Sequence, residues 1–247
     1  MLVKVGDVYK TNNCGNLVIT KYINANEVHV RFVATGYETK NSAGNIRKGV
    51  VKDRLIPSLN GVGVVGEEIT WVDGKHTKVY CLWNNMIKRC YSDTISKLHP
   101  TYQDCKVSEN FKYFTFFRNW CLSQKGFNQE GWHLDKDILI KGNKVYSEDT
   151  CVFVPQEINK LLIKSNSKRG EHLIGVCYHS RDKCFVAKLN VEGRKMHLGY
   201  YDTEHEAFLA YKEAKEDYIK EVANKWKDQI DLRVYNALIN YQVEITD

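Results

Sequence analysis

The sequence predicts an α+β protein assembled from several small domains. Three features of the chain lead to this prediction. Short alternating segments separated by Asn and Gly clusters fill the first 66 residues, a pattern typical of β-strands. Helical periodicity appears over 78–91, and three strand-like segments at 172–200 precede a long amphipathic helix. The length of 247 residues allows one large domain or two to three small ones.

The composition predicts a water-soluble chain. Hydrophobic residues make up 43% and charged residues 27%, with only three prolines, so long disordered tracts are not expected. No run of 18 apolar residues occurs, and the first ten residues lack the apolar stretch of a signal peptide. The eight cysteines include no C-x-x-C pair, which favours free thiols over structural zinc. We therefore expect a cytoplasmic protein without a membrane partner.

The net charge of +6 is modest, but its distribution is uneven. Residues 163–200 contain eight Lys or Arg against three acidic residues, a surplus of five, whereas the following helical segment is acidic. A local surplus of this kind predicts one positive face, which is what a nucleic-acid-binding surface requires.

Residues 1–66 are predicted to form a small β module. Alternation indicates strands near 17–22 and 27–33, and a further strand with a basic edge is expected at 46–53. Gly61, Gly63 and Gly66 then indicate a linker. The basic residues of the module are compatible with contacts to DNA phosphates, and equally with a scaffold or protein-interaction role.

Two amphipathic helices are predicted next. Val79, Trp83 and Met86 fall on one face of a helix over 78–91. A second helix, rich in aromatic residues, is expected over 111–122. Its Phe and Trp side chains are interpreted as core rather than as platforms for stacking bases.

The stretch 132–159 combines a polar cluster with a turn and an apolar run. The polar cluster is followed by Gly142-Asn143, and a helix is expected from about Gln156. The simplest interpretation is a β-hairpin whose two strands are joined by the Gly-Asn turn, with solvated carboxylates. The alternative is a cation site. The members of the polar cluster are His133, Asp135, Lys136 and Asp137.

The order of several spaced motifs resembles phage-borne HNH (ββα-metal) homing endonucleases that carry an AP2-type DNA-binding region. The match extends from about residue 78 to residue 226 and suggests four regions: a β module at 1–66, an HNH-like core at 67–163, an AP2-like domain at 164–226 and a helical tail at 227–247. The motifs that carry it are W-x-x-M-x-x-R-C-Y (83–91), F-x-x-F-x-x-W (114–120), H-L-D-K-D (133–137), G-N-K (142–144) and C-V-F-V-P-x-x-I-N (151–159).

The resemblance implies that Asp135 and Asn159 would hold one Mg²⁺ ion. The position of the general base, a histidine in such nucleases, is occupied by Lys136. A lysine is normally protonated at neutral pH and is a poor base. His133 lies two residues before Asp135, so a strand would place both on one side, and His133 is the alternative base.

The expected function is therefore DNA binding with impaired or no cleavage. We expect a sequence-specific, double-stranded DNA-binding protein derived from a homing endonuclease, acting as a transcriptional repressor in a bacterial host cell. One alternative is an active Mg²⁺-dependent homing endonuclease. Another is a structural or protein-inhibiting factor that acts through the N-terminal β module.

The AP2-like prediction depends on residues 172–225. Three short strands are expected, with turns at 180–182 and 191–193, and Thr203 with Glu206 forms a capping-box pattern at the start of a helix. The motifs G-V (175–176), F-V-A-K-L (185–189) and L-G-Y-Y (198–201) complete the likeness to the AP2 domain.

A small sheet of this kind can lie in the major groove of DNA. Arg194 is the first choice for a guanine contact because its planar fork matches O6 and N7. Lysines are expected at phosphates, and Lys168 and Arg169 in the basic segment 164–170 would follow the backbone. The outward-facing candidates on the strands and turns are Tyr178, Arg181, Lys183, Lys188, Arg194, Lys195 and His197.

The C-terminal stretch 229–243 has apolar residues at helical spacing. Docking on the AP2-like domain and self-association both fit this pattern. The chain contains no internal repeat, so recognition of a two-fold DNA site would require a homodimer.

Overall fold

A computed structural model describes residues 3–162 and 171–247 and confirms a mixed α+β fold. The chain forms two compact units. Unit 1 contains the residues up to Cys121 together with Lys144–Glu148, and unit 2 contains Leu122–Asn143 together with Asp149–Asp247. The finer division into four regions stays a prediction.

The described residues contain thirteen strands and seven α-helices. In chain order they are β1 (Val8–Lys10), β2 (Asn16–Asn24), β3 (Glu27–Phe32), β4 (Glu38–Asn41), α1 (Ala43–Arg47), β5 (Trp71–Val72), β6 (Lys75–His76), α2 (Lys78–Tyr91), α3 (Asp93–Leu98), β7 (Lys106–Val107), α4 (Phe114–Ser123), β8 (Trp132–Asp135), β9 (Val145–Tyr146), β10 (Val152–Pro155), α5 (Gln156–Leu161), β11 (Val176–His179), β12 (Cys184–Val191), β13 (Arg194–Tyr201), α6 (Glu204–Trp226) and α7 (Leu232–Ile239).

The N-terminal part of unit 1 is an antiparallel sheet in the order β1-β2-β3-β4. Its strands β2 and β3 confirm the segments predicted near 17–22 and 27–33. Alternate residues of these strands are buried on one side, as a half-solvated sheet requires. The buried set is Leu17, Ile19, Val28, Val30 and Phe32.

The strand expected at 46–53 is wrong, because helix α1 occupies its first part. The Ser42 side chain accepts a hydrogen bond from the Asn45 backbone N–H at 3.2 Å and caps this helix. The cap lets α1 turn Ala43 and Ile46 into the core of the sheet. Residues 48–53, all within the described part of the chain, form no strand.

The glycine linker is also wrong, because residues 61–66 are packed within unit 1. A Cβ on Gly63 would lie 2.8 Å from the Trp83 ring, so only glycine allows this close approach. The buried Trp83 indole N–H in turn donates to the Phe111 carbonyl at 2.8 Å. Helix α2 confirms the helix at 78–91, whereas α4 begins at Phe114 because a 3-10 turn occupies Asn110–Lys112.

Unit 2 contains two hydrophobic clusters that share helix α6. The N-terminal half of α6 packs on the sheet β11-β12-β13, through residues such as Ala207 and Tyr211. The C-terminal half, including Ile219 and Val222, joins a cluster formed with β10, α5 and α7. Helix α6 therefore links the sheet β11-β12-β13 to the cluster that contains β10.

Helix α7 confirms the helical spacing of the C-terminal stretch. Its Val234 and Leu238 are buried in the same cluster as Val152 and Ile158. The apolar face of α7 is thus used for packing inside unit 2.

Candidate nucleic-acid interface and the 132–159 stretch

The stretch 132–159 forms two antiparallel strands followed directly by a helix. Strand β8 pairs with β10, with Asp135 opposite Val152 and His133 opposite Val154, and α5 follows β10 at once. The expected hairpin turn at Gly142-Asn143 is wrong, because residues 136–151 connect the two strands and contain β9, which pairs with β7 instead. The strand–strand–helix order is nevertheless present.

Asp135 closes a turn at the end of β8. Its Oδ1 atom accepts hydrogen bonds from the backbone N–H groups of Asp137 and Ile138, at 2.7 and 2.8 Å. Burial raises the pKa of Asp135 above its usual value, and these two hydrogen bonds offset part of that effect. The carboxylate thus has a local structural role.

Lys136 closes the loop that follows. Its buried ammonium group donates to the Asp137 carboxylate and, at 2.8 Å, to the Asn143 carbonyl. The Asn143 side chain donates back to the Lys136 carbonyl at 2.7 Å. Both contacts use the Lys136 nitrogen as a hydrogen-bond donor, so this arrangement does not present it as a general base.

His133 lies on β8 and Asn159 on α5. His133 is exposed on β8, and strand alternation places it on the same side as Asp135, whereas Asn159 is half-buried on α5. In the described parts of the chain, no three His, Cys, Asp or Glu side chains lie together as metal ligands would. Asp135 Oδ1 already accepts two backbone N–H groups, so only Oδ2 of this carboxylate is left for a cation.

This interpretation of Asp135 predicts the effect of replacing it. Asp135→Asn keeps the Oδ1 acceptor and removes a buried charge, so the variant is expected to be more stable than the wild type at pH 7. Because folding raises the pKa of Asp135 above 3.8, wild-type stability falls as the pH rises between 3.8 and the raised value. The advantage of Asp135→Asn should therefore disappear when the pH falls well below 3.8.

Urea unfolding at pH 3 and pH 7 measures this difference. Asp135→Ala is the comparison, because it loses the acceptor and should cost about 1 kcal/mol. If added Mg²⁺ stabilised the wild type but not Asp135→Asn, Asp135 would be a metal ligand and the structural interpretation would be contradicted.

The three strands and the helix predicted over 172–225 are confirmed. Strands β11, β12 and β13 form an antiparallel sheet, and Thr203 and Glu206 form the predicted capping box of α6. Residues that face each other across the strands share one side of the sheet. The helix face carries the apolar residues that pack on α6, namely Val176, Phe185, Ala187, Leu189 and Val191. The opposite side, which we name the open face, carries Cys177, His179, Cys184, Val186, Lys188, Asn190, Lys195, His197 and Tyr200.

The open face is positively charged. Lys188 lies opposite His197, and Asn190 lies opposite Lys195. The strands β11, β12 and β13 contain no Asp or Glu. Each of the two turns carries one acidic residue, Asp182 and Glu192. The Asp182 Oδ2 atom lies 3.0 Å from His179 Nδ1.

The structure brings together only some of the predicted reading residues. Lys188, Lys195 and His197 are exposed on the open face. Arg181 and Lys183 are exposed in the turn between β11 and β12, and Lys168 and Arg169 lie outside the described residues.

The expectation that all these side chains face one way is wrong for Tyr178 and Arg194. Tyr178 lies opposite Phe185 on the helix face, with the two ring centroids 5.2 Å apart. Arg194 lies opposite Val191, which also packs on the helix side. Adjacent strand residues point to opposite faces, so Arg194 and Lys195 do not share one.

Tyr200 was missed by the sequence analysis. Its side chain is 61% exposed on the open face, with ring centroids 4.6 Å from His197 and 6.4 Å from His179. An irregular register beside Lys188 pairs that residue with His197 while Ala187 pairs with Gly199. Strict alternation along β13 from Lys195 and His197 would place Gly199 on the open face. The irregular register places Tyr200 there instead.

Comparison with protein-family models, curated proteins and solved structures finds no match to this chain. Among the described helices, none is long and apolar enough to cross a membrane.

Proposed function

We propose that this protein binds double-stranded DNA in a sequence-specific manner through the open face of β11–β13. Its strand–strand–helix core would be inherited from an HNH homing endonuclease, and it would act as a transcriptional repressor in the cytoplasm of a bacterial host cell. The observation that carries this proposal is a cationic sheet face without a carboxylate on any of its three strands.

The dimensions and chemistry of the open face suit the major groove. A small sheet fits a groove about 12 Å wide, with one face toward the base edges. Lys188 and Lys195 are assigned to phosphates, where they fix the position of the sheet. The Asn190 amide and the His197 ring supply donors and acceptors for base edges, and Tyr200 supplies an apolar surface for sugars or thymine methyl groups.

Arg194 has a different role in this proposal. Its strand register places it on the helix face, at the end of β13. Arg194 would reach DNA only around the edge of the sheet. We therefore assign base reading to the side chains of the open face in preference to Arg194. If Arg194 nevertheless reads guanine, Arg194→Ala should cost about 1–3 kcal/mol of discrimination at one base pair.

Repression follows from binding without cutting. A protein held on a promoter prevents other proteins from reaching it, and a two-fold operator would be bound by a homodimer. Lys136 donates hydrogen bonds to two acceptors, and Asp135 accepts the hydrogen bonds of a turn. These contacts support the proposal that cleavage is impaired.

Selection from random double-stranded sequences at moderate salt tests the proposal. We expect one enriched motif, whose protection by the purified protein can then be mapped by footprinting. Equal binding to all sequences would contradict sequence-specific recognition.

A Mg²⁺-dependent homing endonuclease is the second candidate, supported by the order of β8, β10 and α5. The selected DNA is incubated with the protein and Mg²⁺ or Mn²⁺, and Asp135→Ala and His133→Ala serve as variants. We expect no cleavage by the wild type. Clean cleavage that is lost in Asp135→Ala would establish the nuclease instead.

A further inference from the structure

Unit 2 contains a groove of about 880 Å³ beside the three-stranded sheet. We name it the α6 groove, because α6 contributes Tyr211, Lys215, Tyr218 and Lys225 to its lining. Further lining residues come from α5, from residues 172–177, from β12 and from the β12–β13 turn. This volume is in the range of pockets that hold small organic molecules.

Lys215 is the distinctive group in the α6 groove. Within the described residues its ammonium group has no hydrogen-bond or ion-pair partner, although the side chain is only partly exposed. Burial lowers the pKa of Lys215 below its usual value. A half-buried cation without a counter-charge is stabilised by an anion that enters the groove.

The other charges of the groove do not satisfy Lys215. The Glu157 carboxylate accepts hydrogen bonds from Lys225 at 2.8 and 2.9 Å and from the Trp226 indole at 2.7 Å. Burial alone would raise the pKa of Glu157, but these hydrogen bonds outweigh burial and lower it. Lys160 and Glu192, which also line the groove, are exposed residues of opposite charge.

Much of the remaining lining is apolar. Leu161, Leu173, Ile174, Val176 and Leu189 surround the groove together with the two tyrosine rings of α6. A cation without a described partner beside aliphatic and aromatic side chains suits a ligand with an anionic head and an apolar body.

We propose that the α6 groove binds a small amphiphilic organic anion, with its carboxylate or phosphate at Lys215 and its apolar body against the aliphatic wall. The groove shares Cys177 and Asn190 with the open face, whereas Lys215 lies on α6 and has no role in the proposed DNA contacts.

Two fluorescent probes of similar aromatic body test the proposal with the full chain. 8-Anilinonaphthalene-1-sulfonate carries an anionic group, and N-phenyl-1-naphthylamine lacks it. We expect Lys215→Met to weaken binding of the anionic probe at least tenfold and to leave binding of the neutral probe within twofold. Lys220→Met is the matched control on the same helix, because Lys220 already pairs with Asp217 at 3.1 Å.

Two further measurements keep the test decisive. Lys215→Arg retains the positive charge and should therefore retain binding of the anionic probe. If Lys215→Met does not fold, Lys215→Arg is measured in its place. Octanoate or octyl phosphate should displace the probe and identify the preferred head group, whereas octanol should not. Equal affinity of the wild type and Lys215→Met for the anionic probe, absence of binding, or equal displacement by octanol would overturn the proposal.

Discussion

Replacing Gly175 with Ala is expected to lower the free energy of unfolding of unit 2 by about 2–5 kcal/mol. Gly175 has φ of +76°, and a Cβ at this position would lie 2.1 Å from the ring of Tyr211. Tyr211 is buried on α6, so its ring has little room to move away. The substitution combines a left-handed backbone conformation with overpacking, and both effects oppose folding.

Gly193→Ala is the control for Gly175→Ala. Gly193 has a similar φ of +83°, but a Cβ there would meet no atom within 4 Å. Replacing Gly193 should lower the free energy of unfolding by about 1–2 kcal/mol, which is the cost of the left-handed backbone conformation alone. Urea unfolding of both variants measures the difference, and equal losses would show that contact with Tyr211 is unimportant.

The double variant Lys188→Gln, Lys195→Gln is expected to bind its DNA site about 10- to 100-fold more weakly at moderate salt. Each lysine that neutralises a phosphate releases condensed counterions, and each contributes about 0.9 to the slope of log affinity against log salt. The variant should therefore lose close to two units of slope. Binding titrations at four or five salt concentrations give both quantities.

The matched control removes two positive charges elsewhere in unit 2. Lys220→Gln, Lys227→Gln changes α6 and the residue after it, where Lys220 pairs with Asp217 and Lys227 lies 5.5 Å from the Tyr235 ring centroid. Its slope should match that of the wild type. If both double variants lost the same slope, net charge alone would explain the binding, and the open face would have no special role.

Sequence reasoning located the elements whose signals are local. The turns of the three-stranded sheet and the capping box at Thr203 and Glu206 are encoded within a few residues of each element, and the structure confirms them. Helix α2 was predicted for the same reason, because Val79, Trp83 and Met86 repeat at helical spacing and are buried.

Features that depend on distant residues were missed. The Gly142-Asn143 pair is a valid turn signal, but β8 pairs with β10 rather than with the strand after that turn. The packing of Gly63 on Trp83 connects residues 20 positions apart, and the groove at Lys215 is lined by residues of α5, β12 and α6 that are distant in the sequence. The surplus of positive charge is visible in the sequence. The side of the sheet on which each side chain lies can be assigned only from the strand register.

The sharing of α6 by two clusters has a consequence for substitutions far from the open face. The helix packs on the three-stranded sheet with one half and on the cluster of β10, α5 and α7 with the other. A substitution that loosens the second cluster therefore also weakens the support of the sheet, although it changes no side chain of the open face. The strands β8 and β10 contribute to folding in this way whatever chemistry they carry.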